Sequence, residues 1–182
     1  MARFCTLASG SGGNSTYIST NDGDILVDAG ISCKALMSAI GMNIYNKVVL
    51  DLFAGSGALG IESLSRGAKC CYFVDNDKTS IKVIKDNISK IGISEEVHVE
   101  FTSYKDFLQR NKDKKFSLLF LDPPYKDDYV YQEVVDFMIK NDMLTSDAIV
   151  VCEADKELNE CEHFKNYRHY KYGTVHVNIY WR

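Results

Sequence analysis

Three aspartates and three glycines stand in this chain where they could do chemistry. Asp51 is a lone carboxylate inside the apolar run 48–53, and Gly55, Gly57 and Gly60 follow it in LFAGSGALG. A strand that runs into such a turn and then a helix lets a ligand approach the backbone closely, because glycine carries no Cβ. Burying Asp51 without a partner would be costly, so it is expected to face a polar ligand or backbone donors near the carboxyl end of its strand. Asp75 closes the next apolar run, CCYFVD, 20 residues after Gly55. That is the place of an acid that takes ribose hydroxyls in a nucleotide-binding βαβ unit. LLFLDPPY then puts Asp122 at the end of another buried strand, ahead of Pro123, Pro124 and Tyr125. The three acids would line one rim of a parallel sheet, where open α/β folds bind ligands. A glycine-rich turn with no ligand is the bland alternative, since the glycine pattern by itself is a weak signal.

The elements that must hold these residues alternate cleanly after residue 42. Strand 47–53 leads to a helix over 58–66 that stops at Gly67, a suitable helix cap. Strand 69–74 leads to a helix over 78–91, with Asn76 or Asp77 able to cap its start and Ile81, Ile84, Ile88 and Ile91 forming a core stripe. Strand 97–101, a short helix at 104–110, strand 117–121, a helix near 129–140 and strand 147–152 follow. The tail, YRHYKYGTVHVNIYWR, reads as a hairpin turning at Gly173. Repeated βα alternation closed by a hairpin predicts an α/β fold with a mostly parallel, doubly wound sheet.

Composition is compatible with a single globular unit. The chain has 182 residues and a net charge of −4, which argues mildly against tight, general nucleic-acid binding but leaves room for a local basic face. The six cysteines include no CxxC pair, so buried free thiols in a reducing compartment are expected. MARFCTLASGSGG lacks the apolar stretch of a signal peptide, and no run approaches membrane-spanning length. A cytoplasmic location, no membrane, no metal and a monomer are the expectations.

Residues 1–41 differ in character from the rest. RFCTLAS and TYIS read as strands around the SGSGGNS turn, ILVDAG as a third strand, and SCKALMSAIG as a short helix ending at Gly41. LASGSGGNSTYIS and ILVDAG resemble the opening strands of the metallo-β-lactamase-like hydrolases. Those enzymes hold metal with an HxHxDH cluster. The histidines here, His98, His163, His169 and His176, lack that spacing, so metal-dependent hydrolysis is not supported. The expected domains are a β-rich segment of hydrolase-like origin over 1–41 and a second unit over 42–182.

From Lys47 onward the chain is similar to the RsmD-type methyltransferases, which act on the exocyclic N2 of a guanine in small-subunit 16S ribosomal RNA. The matching segments are VVLDLFAGSGALGIESLSRGA, FVDNDKTSIKVIKDNI, LLFLDPPY, IVVCEAD and YGTVHVNIY. The resemblance implies a Rossmann-like class I fold that uses S-adenosylmethionine (SAM), with an antiparallel last strand. It implies that Gly55, Gly57 and the backbone at Phe53–Ala54 cradle the amino-acid end of SAM and that Asp51 orients its ammonium. Asp75 would accept the ribose hydroxyls, and Asn76 would lie beside the adenine. The family usually has an acid near Ser103 for the adenine amine; with serine there, Tyr104 backbone groups are a substitute. These proteins normally begin with a hairpin and a basic segment that engages RNA, and residues 1–41 replace it, as in a fusion.

DPPY suits methylation of a planar amine. Such an amine is a poor nucleophile because its lone pair is delocalised into the ring. Acceptors aimed at its hydrogens favour the tetrahedral form and free that lone pair. The Asp122 carboxylate and the Pro123 carbonyl can supply two, Pro123–Pro124 fixes the backbone, and Tyr125 offers a face on which an unstacked base can lie. Expected partners are therefore ribosomal RNA and the small subunit. Adenine N6 as the acceptor, and a SAM-binding domain without catalysis, are the alternatives.

Overall fold

The computed structural model describes residues 3–7, 15–20, 23–27, 37, 40, 44–92, 96–123 and 128–182. The turn at 9–14, most of the helix expected over 32–41, the Gly41–Met42 boundary, Pro124 and Tyr125 lie outside the described residues.

Seven strands form the main sheet: β4 (Val48–Asp51), β5 (Cys70–Asp75), β6 (Glu96–Phe101), β7 (Phe116–Leu121), β8 (Leu144–Ala154), β9 (Asn166–Tyr172) and β10 (Val175–Trp181). Their order across the sheet is β6-β5-β4-β7-β8-β10-β9. β6, β5, β4, β7 and β8 pair in parallel, and β10 runs antiparallel to both β8 and β9. Phe116–Leu121 is buried at every position, as expected of a strand covered on both faces. Strand β4 is shorter than the apolar run suggests, because Leu52 and Phe53 already turn. Strand β8 is longer, with an irregularity between Phe116 and Leu118 where it meets β7.

Helices α1 (Ala58–Ser65) and α2 (Lys78–Ile91) cover one face, and α3 (Tyr104–Arg110) and α4 (Asp128–Lys140) the other. The strands sort their side chains by alternation. Val49, Leu118, Phe120, Ile149, Val151 and Val177 face α1 and α2, whereas Leu50, Leu119, Leu121, Val150 and Cys152 face α3 and α4. Asp77 caps α2 by accepting from the N–H groups of Thr79 and Ser80. Cys70, Cys71 and Cys152 are buried free thiols and Cys161 is a partly buried one, and burial pushes the Cys71 thiol well above its ordinary value.

The amino-terminal strands β1 (Arg3–Leu7), β2 (Ser15–Thr20) and β3 (Gly23–Val27) make a separate antiparallel sheet. β3 lies against α1 and β1 against α2. Met37 and Ile40 are helical and almost fully buried, at 0% and 3% exposure, in the same core as Val49, Ile61 and Leu64. This stretch thus completes the face made by α1 and α2. Among the described residues no helix is long and apolar enough to cross a membrane.

Deleting a core side chain removes its transfer energy and leaves a cavity, so Met37→Ala and Ile40→Ala should each lower stability by about 2–5 kcal/mol. Urea unfolding measures it, and a change near zero for both would show that this stretch packs only loosely.

Candidate active site

The strand–turn–helix unit from β4 to α1 is pinned on every side. The Leu52 N–H donates to the Phe120 carbonyl at 3.3 Å and the Ala54 N–H to the Val74 carbonyl at 3.0 Å, tying the turn to the strands on either side. Gly55 has φ +53 and Gly57 φ +79, values L side chains resist. A Cβ on Gly55 would meet nothing within 4 Å, so the turn there opens onto free space. Gly60 is the reverse case: a Cβ would lie 2.2 Å from Phe73 and 2.7 Å from the Cys71 sulfur. Glycine at 60 lets α1 close onto β5.

Asp51 sits beneath this unit, only 3% exposed. Its Oδ2 accepts from the Gly60 N–H at 3.1 Å. Gly57 supplies no side-chain cap to α1, so the strand's own carboxylate meets an otherwise orphaned donor of the helix's first turn. Burial is the main influence on the group and pushes it up to about 7; the Gly60 bond opposes this, and the charges of Asp122 and Asp75 add to it. The strand register puts the three acids at one rim: Asp51 pairs with Phe73 and Phe120, each two residues ahead of Asp75 and Asp122.

Asp75 accepts from the Gly55 N–H through Oδ2 and from the Asp77 N–H through Oδ1, both at 2.8 Å. Among the described residues its carboxylate is oriented by backbone donors alone, and it keeps lone pairs for further donors. Its carbonyl accepts from the Thr102 N–H at 3.0 Å, which brings the residues after β6 to the same rim. Asp122 has an exposed surface, yet the protein crowded around its carboxylate pushes it up to about 6 through desolvation.

The remaining expected residues fall into place unevenly. Phe53 packs on Tyr104 with ring centroids 5.3 Å apart, and the Tyr104 hydroxyl donates to Glu133 at 2.7 Å. Ser103 is the cap of α3, its hydroxyl accepting from the Asp106 N–H at 3.1 Å and donating to the Asp106 carboxylate at 2.7 Å. Asn76 is exposed beside Asp75, Ala54 is buried, and Pro123 is half-buried after Asp122.

Three residues that the sequence left without a role also belong here. Asn87 is buried on α2, and its amide donates to the Ser56 carbonyl at 3.0 Å, bracing the glycine turn. Phe101 is 60% exposed and stands level with Asp75 across the β5–β6 register. Glu153, near the end of β8, is pushed up to about 7 by burial and by Asp122. A polar residue amid a helix's apolar stripe was the only available signal for Asn87. Among the described residues no group of three or more His, Cys, Asp or Glu side chains is arranged to hold a metal ion.

Parallel order, crossover helices, the inserted antiparallel strand and a glycine turn flanked by acids define a class I SAM-dependent methyltransferase fold. The chain belongs to the family described as conserved hypothetical protein 95, the RsmD family, whose model matches residues 32–181. Relatives include YlbH of Bacillus subtilis, 32% identical over 84% of this chain and 89% of that protein. Another is ribosomal RNA small subunit methyltransferase D of Haemophilus influenzae, 34% identical over 63% of this chain and 60% of that protein. Among solved structures, HI0767 of Haemophilus influenzae is 31% identical, with a TM-score of 0.71 over 84% of this chain and 98% of that one.

The geometry around Asp51 bears first on packing and second on pH. Overpacking by a methyl group makes Gly60→Ala destabilising by about 1–3 kcal/mol in urea unfolding. The second concerns pH. The folded value of Asp51, about 7, lies above its ordinary 3.8, so between them the folded state binds more protons than the unfolded one. Stability from this group falls as pH rises through that window and stays low above it. Asp51→Asn keeps an oxygen for Gly60 and cannot ionise. Its melting temperature relative to the parent should therefore climb from about pH 4 to about pH 7.5; a flat difference would rule out the burial effect.

Proposed function

We propose that this chain transfers the methyl group of SAM to an exocyclic amine of a nucleic-acid base, namely N2 of a guanine in the 16S RNA of the small ribosomal subunit. The observation that carries it is the convergence of Asp51, Asp75 and Asp122 on one rim by strand register, beside a glycine turn whose N–H is bonded to Asp75. The membership of the RsmD family supports the substrate class.

The residues fit SAM. Gly55 borders open space, and Asp75 has two oriented oxygens with room for hydroxyl donors. Asp51 is a buried carboxylate with one neutral donor among the described residues, a setting a cation would relieve. Phe53, Ala54, Gly55 and Gly57 would hold the amino-acid end, Asp51 the ammonium and Asp75 the ribose. Asn76, Ser103 and Tyr104 would border the adenine. When bound, SAM supplies an activated methyl group on a good leaving group.

The chain's own part is to position and to accept. Asp122 and the Pro123 carbonyl accept the amine's hydrogens, which favours its tetrahedral form. Pro123–Pro124 sets their convergence, and Tyr125 gives the base a surface to lie on. Much of the rate comes from in-line placement of amine and methyl. Asp122, with its value raised to about 6, takes the proton that the amine loses after transfer.

The segment ahead of residue 32 belongs to the proposal as a graft of hydrolase-like origin on a methyltransferase unit, shorter than the 1–41 expected from the sequence. The family match from residue 32 and the buried Met37 and Ile40 support a junction ahead of that point.

Methyl transfer from radiolabelled SAM to 30S particles, naked ribosomal RNA and DNA tests the assignment. Label in RNA as N2-methylguanosine is expected; label as N6-methyladenine would favour the other acceptor, and none at all a domain that only binds SAM. Asp122→Ala should abolish transfer while SAM affinity stays within about threefold, because its carboxylate holds the amine and is only one of several groups that border the donor. A fully active variant would remove Asp122 from the chemistry.

A further inference from the structure

Among the described residues, Glu153 is an acid of the rim that the proposed reaction does not use. Leu121 of β7 pairs with Cys152 of β8 in parallel register, so Asp122 and Glu153 are the next residues on neighbouring strands. Such strands lie about 4.8 Å apart, close enough for two carboxylates to meet the edge of one base. Glu153 pairs with Val177 of β10, and by alternation its side chain shares the face of Val151 and Val177. Asp51 shares the face of Val49, and Asp122 continues the alternation of Leu118 and Phe120. All three lie on the α1–α2 side of the rim.

The backbone of Glu153 is fixed from the opposite face, where the Tyr131 hydroxyl of α4 donates to its carbonyl. Its carboxylate is half-buried, and among the described residues no hydrogen bond or ion pair reaches it. A partly desolvated, unpaired carboxylate beside another acid carries a standing penalty that a bound donor removes.

We propose that Glu153 accepts the N1–H of the target guanine while Asp122 holds the neighbouring N2 amine, so that Glu153 sets the preference for guanine over adenine. The inference rests on the guanine assignment made above and adds the residue that enforces it. Guanine presents two adjacent donors on this edge, N1–H and the N2 amine. An ionised carboxylate only accepts, so Asp122 and Glu153 together match that pair. Adenine sets the N1 lone pair beside its N6 amine, and cytosine sets N3 beside N4. Either would face Glu153 acceptor to acceptor. A site built to receive a hydrogen bond discriminates strongly against an analogue that cannot give it.

Mass spectrometry of nucleosides from small-subunit RNA methylated by the parent chain first locates the product. N6-methyladenosine would overturn the guanine assignment itself, separately from the role of Glu153. At a located guanine, 2-aminopurine is then substituted, which keeps the C2 amine but has an acceptor at N1. Assays run at about pH 8.5, above the value of about 7 for Glu153, keep the carboxylate ionised. The parent chain should prefer guanine by about 10–100-fold in kcat/KM. In Glu153→Gln the amide can donate to N1, and the preference should collapse to within about threefold, with SAM affinity unchanged by calorimetry. Retention of the full preference by Glu153→Gln would overturn the proposal. Should that variant not fold, 1-deazaguanine in the parent chain decides, because it has a C–H that cannot donate in place of N1–H. A loss of at least about tenfold supports Glu153 as the reader, and an unchanged rate removes it.

Discussion

A carboxylate sealed beneath the amino end of a helix is the constraint on which this structure depends. Asp51 leaves a buried strand and meets the Gly60 N–H of α1, so one short contact sets how strand, turn and helix succeed one another. The contact requires that nothing project from residue 60, since Phe73 and Cys71 already fill that space. Once α1 is set, the turn before it has one path, closed by Ala54 on Val74 and Gly55 on Asp75. The same burial that fixes the fold leaves Asp51 short of a counter-charge. Structural and binding roles therefore coincide in one group.

Much of this was legible in the sequence because the governing signals are local. Continuous apolar runs marked β4, β5, β7 and β8, helical spacing marked α2, and Gly173 marked the hairpin turn. The rim acids were legible because a charge at the end of an apolar run has few places to go. The boundaries were less so: Leu52 and Phe53 are apolar yet turn, since the backbone must begin its bend before the first glycine. The long-range partners of residues outside those acids were not legible. Asn87 reaching Ser56 and Glu153 arriving beside Asp122 depend on α2 lying over the turn and β8 lying next to β7, facts of tertiary order that no spacing encodes.

The amino-terminal region shows the same limit from the other side. Its strands are recognisable, but their relation to the rest comes from packing. Met37, Ile40 and Ile44 enter a core built from β4, α1 and α2, so the chain before β4 helps to close the face on which the rim acids stand. A change of composition along a sequence need not coincide with a break in the packed unit.

The order of the last two strands has a consequence for how the protein is made. β9 precedes β10 in the chain, yet it reaches the sheet only through β10. While the ribosome adds residues at about 5–20 per second, β9 leaves the exit tunnel with no neighbour to pair with. Its Tyr167, Tyr170 and Tyr172 and its open backbone are then a template for unwanted pairing. The charges of Arg168 and Lys171, interleaved with those rings, guard the nascent strand until β10 emerges and inserts.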